Sequence, residues 1–173
     1  MMSDRAVEMI REEISVLSMM DHDNIIKYVE SFEDNRYMYI VTEYIHSSKD
    51  LQVVLEEALL NFDQTAEKTL LPLDDVRKIM KMILSGVSHI HTNKIVHRDL
   101  KPGNVIFYQQ GDKMNLKIID FGLALEMTKV DSHAKNFILG TPIFMSPEIF
   151  NEKGSINSYK EPVDIWACGV MMY

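Results

Sequence analysis

The chain has 173 residues, 46% apolar and 25% charged, a balance that excludes disorder and collagen-like repeats and supplies apolar mass for one buried core. Its formal charge is −8, and residues 1–34 hold nine acids against three bases, so neither a nucleic-acid backbone nor an anionic membrane is an expected partner. With one cysteine, Cys168, no leader-like start and no apolar run of about 18 residues, the expected setting is intracellular, cytoplasmic or nuclear.

Val7, Ile10, Ile14 and Leu17 recur at helical spacing and the pattern stops at Asp21-His22-Asp23-Asn24, which predicts a helix over residues 4–20. Residues 25–32 and 37–42 are β-branched and aromatic runs separated by Glu33-Asp34-Asn35-Arg36, the pattern of an antiparallel hairpin. A short helix is expected over 50–60, then a polar loop over 61–69 ending near Pro72. Val76, Ile79, Met80, Ile83, Val87 and Ile90 repeat at +3 and +4 behind Asp74 and Asp75, acids that favour a helix N-terminus, and this helix ends by Asn93. Residues 105–108 and 116–119 form a second hairpin joined by 109–115. The tail, 163–173, is apolar on nearly all sides and predicts the start of a buried helix.

Between the long helix and the second hairpin stands His97-Arg98-Asp99-Leu100-Lys101-Pro102-Gly103-Asn104, and just after the hairpin stands Asp120-Phe121-Gly122. A hairpin brings its ends together. Asn104 and Asp120 are therefore expected side by side at its open end, where hard oxygen ligands suit one or two Mg²⁺ ions. Asp99, a short loop before Asn104, can accept the proton of an attacking hydroxyl, and Lys101 sets a cation beside a transferring phosphoryl group.

In this order and spacing the two motifs resemble the catalytic loop and metal motif of the eukaryotic protein kinases. The resemblance implies an α+β, bilobal fold that uses ATP and Mg²⁺ to phosphorylate protein hydroxyls. It implies that Glu13 is the helix glutamate that pairs with a strand lysine gripping ATP, and Glu13 flanks the apolar stripe while Glu12 points away from it. Thr42 matches the gatekeeper, and Glu43-Tyr44-Ile45 the hinge whose backbone bonds adenine. Asp50 reaches the ribose, Ile106 forms the apolar floor under adenine, and Leu17, Tyr28, His97 and Phe121 match a stack that aligns the two lobes.

Gly140-Thr141-Pro142-Ile143-Phe144-Met145-Ser146-Pro147-Glu148 resembles the peptide-positioning loop of serine/threonine kinases, with Ser146 where Ala is usual. Lys101 and Thr141 belong to the serine/threonine pattern rather than the tyrosine one. Glu148 pairs, in the family, with an arginine of later helices. Asp164, in Asp164-Ile165-Trp166-Ala167-Cys168-Gly169, matches the buried aspartate that fastens the catalytic loop from below. Arg98 binds an activation-segment phosphate in relatives, yet Asn136-Phe137 stand where the modified residue is usual. Asp131 as a substitute, modification of Ser132 or Thr128, and no phosphate at all remain as alternatives.

No glycine precedes Gly86 and no lysine precedes Lys27, so the family's Gly-rich loop and strand lysine have no counterpart before Glu13. The chain is expected to be a partial domain truncated at both ends, with 1–45 the remnant of the N-terminal lobe and hinge and 46–173 the first part of the C-terminal lobe. Isolated, it is expected to be inactive. Residues 159–169 are similar to calmodulin-dependent kinases, while 134–137 and 140–148 look like NIMA-related kinases; a regulator such as calmodulin would act through regions outside the chain. Two rivals stand beside the kinase reading. The peptide loop argues against a small-molecule phosphotransferase, and the intact catalytic residues argue against a noncatalytic, pseudokinase-like interaction module.

Overall fold

The computed structural model describes residues 4–62, 70–129, 138–151 and 160–173. Expectations for residues 63–69 of the polar loop, for Asp131, Ser132 and residues 134–137, and for Tyr159 lie outside the described residues. The first element is helix α1 (Asp4–Met19), whose apolar stripe is deeply buried only toward its end, at Val16 and Leu17. Strands β1 (Tyr28–Glu33) and β2 (Met38–Thr42) pair antiparallel. Asp34 sets their turn by accepting the Arg36 and Tyr37 amides through Oδ1.

Ile25 and Ile26 do not join that hairpin, contrary to expectation, while Lys27 extends it by accepting the Glu43 amide at 2.9 Å. Ile25 forms a parallel bridge to Ile118, and the Ile26 amide donates to the Ile118 carbonyl at 2.9 Å. The reason is burial. Ile25 and Ile26 are both buried, and two consecutive buried side chains need cover on both faces, which a two-stranded ribbon cannot give.

Asp50 ends the two-residue strand β3 (Lys49–Asp50) and caps α2 (Leu51–Leu60), accepting the Val53 amide at 2.8 Å. Helix α3 (Leu73–Thr92) buries Ile79, Met80, Ile83, Val87 and Ile90, as its periodicity predicts. Each such side chain contributes about 1.5–3 kcal/mol of transfer free energy. Gly86 allows the close approach of this helix to its neighbours, since a Cβ there would stand 2.9 Å from Ile118 Cδ1 and 3.1 Å from the Asn24 carbonyl oxygen.

After the short β4 (Ile95–Val96) come β5 (Val105–Gln110) and β6 (Lys113–Ile118), longer than predicted because Gly111, at φ 62°, turns the chain in a tight corner. Gln109, Gln110 and 113–115 thus belong to the ladder rather than to a loop. The sheet order is β3-β5-β6, and β4 pairs with β7 (Leu125–Glu126). Helix α4 (Pro147–Asn151) is one turn and a half.

A helix, α5 (Pro162–Met172), stands where the apolar tail predicts one. Val163, Asp164, Ala167 and Cys168 are buried, while Ile165 is 50% and Trp166 47% exposed. The buried face packs against α3 and the Pro142–Phe144 turn, and Val163 clusters with Val96 and Ile149. The architecture is α+β, with α3 and the β5–β6 ladder holding the core that carries the site. Among the described residues no helix is long and apolar enough to cross a membrane.

Candidate active site

The loop between β4 and β5 is anchored from below by one buried carboxylate. Asp164, 1% exposed, accepts the amides of His97 at 2.9 Å and Arg98 at 3.0 Å and the Nε2–H of His91 at 2.8 Å. Three donors satisfy a charge that burial would otherwise penalise heavily. The same carboxylate bears on Cys168. Burial first, and then Asp164, push that thiol up to about 12, so it stays protonated and serves as packing.

His97 is fully buried, and burial pushes its imidazole below the ordinary histidine value, so the ring is neutral. Its Nε2 faces the Ile119 carbonyl at 3.2 Å and must carry the proton, which leaves Nδ1 to accept the Asp99 amide at 3.3 Å. One neutral ring thus bridges the end of β6 to the catalytic loop. It also packs on Phe121, with ring centroids 5.0 Å apart, while Leu17 and Tyr28 lie in the core cluster that holds Phe121.

Asp99 stands at the centre of a closed triangle. Lys101 Nζ donates to Asp99 Oδ2 at 2.7 Å and to Thr141 Oγ1 at 3.0 Å, and Thr141 Oγ1 donates to Asp99 Oδ1 at 2.7 Å. Burial pushes the Asp99 carboxyl up, but the hydrogen bonds from Lys101 and Thr141 outweigh it and hold the group below the ordinary aspartate value. Asp99 is therefore an anion that Lys101 and Thr141 hold at its two carboxylate oxygens. The direct Thr141–Asp99 bond, 42 residues apart in sequence, had no signal in spacing or composition.

β5 and β6 pair from Val105–Ile118 outward and the Ile119 amide donates to the Asn104 carbonyl at 2.9 Å, so Asp120 follows directly on the residue bonded to Asn104. Asn104 Nδ2 donates to the Asp99 carbonyl at 2.9 Å and to Asp99 Oδ2 at 3.2 Å, which turns the amide oxygen away from those acceptors. Asp120, at φ 64°, and Arg98, at φ 68°, hold left-handed backbone conformations that cost non-glycine residues about 1 kcal/mol or more.

Glu13 of α1 reaches this corner. A Cβ on Gly122 would lie 3.3 Å from Asp120 Oδ1 and 3.5 Å from Glu13 Oε2, and burial, then the Asp120 charge, push the Glu13 carboxyl above its ordinary value. A carboxylate, a crowded second carboxyl and an amide oxygen form a donor set of the hard-oxygen kind that suits Mg²⁺. Among the described residues no group of three or more His, Cys, Asp or Glu is placed to hold a metal ion.

Arg98 Nε donates to the Leu123 carbonyl, linking the catalytic loop to the segment after Phe121. Thr128, a candidate for modification, donates to Glu126 Oε1 at 2.7 Å. Gly140, at φ 115°, lies where a Cβ would stand 2.6 Å from the Arg98 carbonyl oxygen, so the peptide loop presses directly on the catalytic loop. Glu148 sits in the first turn of α4, partly exposed. Ser146, in place of the usual alanine, is fully buried and its hydroxyl has no hydrogen-bond partner among the described residues. Ser146→Ala is accordingly expected to stabilise the fold by about 1 kcal/mol, read as a raised urea midpoint at unchanged slope.

On the three-stranded sheet, Asp50 and Ile106 are cross-strand partners on β3 and β5. The Asp50 carboxylate serves the α2 cap through Oδ1, a role the ribose assignment did not foresee. Glu43 and Ile45 follow β2, with the Ser48 hydroxyl donating to the Ile45 carbonyl at 3.0 Å.

A family model described as protein kinase domain matches residues 2–173. Calcium-dependent protein kinase 4 of Plasmodium falciparum (isolate 3D7) is 35% identical over 167 residues, covering 96% of this chain and 28% of that protein. SNF1-related protein kinase catalytic subunit alpha KIN12 of Arabidopsis thaliana is 37% identical over 164 residues, 95% of this chain and 29% of that protein. Calcium/calmodulin-dependent protein kinase cmkB of Emericella nidulans is 36% identical over 167 residues, 95% of this chain and 38% of that protein. The chain thus spans well under half the length of these curated relatives. Matched by the family model from its second residue to its last, the chain belongs to the protein kinase domain family.

Proposed function

We propose that this chain provides the catalytic centre of a serine/threonine protein kinase, which transfers the γ-phosphoryl group of Mg-ATP to hydroxyls of protein substrates. The observation that carries the reading is the Asp99–Lys101–Thr141 triangle. It ties the proton-accepting aspartate to a cation on one side and to the peptide loop on the other. A small-molecule phosphotransferase has no need of that second tie.

In this reading Asn104 and Asp120 hold the metal, and Mg²⁺ bound there offsets negative charge on the phosphate oxygens. Asp99, pinned through both carboxylate oxygens, accepts the hydrogen bond of the incoming serine or threonine hydroxyl and aims it at γ-phosphorus. The bond from γ-phosphorus to the bridging oxygen breaks, leaving ADP, while a bond forms to the hydroxyl oxygen. The hydroxyl proton passes to Asp99. A carboxylate held below its usual value is a weak base, which suits a transition state where that proton leaves late. Lys101 remains beside the transferred group as its negative charge shifts.

The main-chain edge of 43–45 takes adenine over Ile106, Asp50 lies toward the ribose, and Glu13 awaits a lysine partner. Two of the relatives carry calcium in their printed names, one of them with calmodulin. Calcium-linked control through residues outside this chain, in an intracellular setting, is part of the proposal. The test is metal dependence. Asp120→Asn in the complete protein is expected to raise the Mg²⁺ and ATP concentrations for half-maximal activity about tenfold or more, because an anionic ligand is lost. An unchanged Mg²⁺ titration contradicts the assignment of Asp120.

A further inference from the structure

Lys117 lies in the middle of a run of three buried residues on β6, between Leu116 and Ile118. At 8% exposed, it is the one lysine among the buried residues described. Its Nζ donates to the Ile25 carbonyl at 3.2 Å and lies 2.8 Å from Glu43 Oε1. The same Glu43 oxygen accepts the Lys27 amide at 2.7 Å, and the Glu43 amide returns a bond to the Lys27 carbonyl at 2.9 Å. Glu43 is therefore held at both its main chain and its carboxylate. None of the hydrogen bonds among the described residues uses its carbonyl or the Ile45 amide.

The register says which face this arrangement serves. Asp50 pairs with Ile106, and Ile106 pairs with Lys117, so the three side chains form one row across β3, β5 and β6 on one face of the sheet. That row runs beneath the place assigned to the nucleoside. Two residues beyond Ile118 on the same chain stands Asp120. A charge buried in an apolar strand is not the cheapest way to stabilise one, since apolar replacements of buried ion pairs are often neutral or stabilising. Fold stability alone does not account for Lys117.

We infer that Lys117 is a positioning residue for the nucleotide: its ammonium fixes Glu43 so that the hinge edge offered to adenine stays in register with Asp120 at the phosphate end. This rests on the ATP-dependent reading given above. Without the ammonium, the Glu43 carboxylate turns toward water and the peptide that follows it loosens. Adenine contacts are made equally in ground and transition states, so the loss falls on ATP binding and not on the chemical step.

The experiment is steady-state peptide phosphorylation by the complete protein carrying Lys117→Met, Lys117→Arg, Glu43→Gln, or Lys117→Met with Glu43→Gln, each checked for cooperative unfolding. Lys117→Met is expected to raise KM for ATP about tenfold with kcat changed less than about threefold and KM for peptide unmoved. Lys117→Arg restores KM for ATP to within about twofold, and the double variant is no worse than the worse single one, because both remove the same tie. Where Lys117→Met does not fold, Glu43→Gln, which keeps the Lys27 hydrogen bond, gives the same readout. An unmoved ATP KM in folded Lys117→Met or Glu43→Gln, equal losses for ATP and peptide, or additive effects would overturn the inference. A wild-type protein without phosphoryl transfer overturns the kinase reading, and this inference with it. An active wild type with an unmoved ATP KM overturns Lys117 alone.

Discussion

Asp99→Asn is expected to lower kcat for peptide phosphorylation by about two to four orders of magnitude, the range that a positioned general base contributes. The amide nitrogen cannot accept a proton, and asparagine cannot offer both Lys101 and Thr141 the acceptor that each now uses or faces. Stability should change little, by about 1 kcal/mol, since the Asp99–Lys101 pair is partly open to water and the amide keeps one acceptor oxygen. Initial rates at saturating ATP, beside urea unfolding of the same variant, separate the two effects. A folded Asp99→Asn protein with wild-type kcat removes Asp99 from the mechanism.

The largest expected effect on stability is at Asp164. Asp164→Ala strands the amides of His97 and Arg98 and the Nε2–H of His91 in a site where the carboxylate itself was 1% exposed. Each unsatisfied buried donor costs about 1–3 kcal/mol, so a loss of about 3 kcal/mol or more is expected, and activity falls with it as Arg98 leaves its left-handed conformation. Asp164→Asn keeps one acceptor oxygen and should fall between wild type and alanine. The urea midpoint reports the order of the three proteins. A cost for Asp164→Ala under about 1 kcal/mol would show that water or rearrangement satisfies those donors.

The elements legible in the sequence were those whose pattern is local. Helix α3 announces itself through Ile79, Ile83 and Ile90 at helical spacing, and the motifs that hold Asn104 and Asp120 flank a hairpin that forms as its pattern predicts. What stayed hidden depends on distant segments. Ile25 and Ile26 look like strand, but they bond Ile118 rather than β2, a choice made by burial on two faces. The end of β5 and the start of β6 are polar because they are solvent-exposed hairpin, which composition alone reads as loop.

The same division runs through the site. Asp99, Lys101, Asn104 and Asp120 sit in contiguous motifs, and Asp164 carried its motif too. Thr141 was placed in a peptide loop, yet its hydrogen bond to Asp99 arises only because Gly140 lets that loop press against the Arg98 carbonyl. Lys117 and the Glu43 carboxylate gave no signal. An alternating strand lysine and a hinge glutamate become a pair only when β6 and the segment after β2 are laid side by side.

The central claim is that Asp99, oriented by Lys101 and Thr141, directs phosphoryl transfer to aliphatic protein hydroxyls. The most direct measurement incubates the complete protein with Mg²⁺ and ATP labelled in its γ-phosphate, against peptides bearing serine, threonine or tyrosine and against small-molecule alcohols such as choline. The modified residue is then identified by hydrolysis. Label is expected on phosphoserine and phosphothreonine, abolished by Asp99→Asn. Label on phosphotyrosine or on the small-molecule hydroxyl, or transfer that survives Asp99→Asn unchanged, would contradict it.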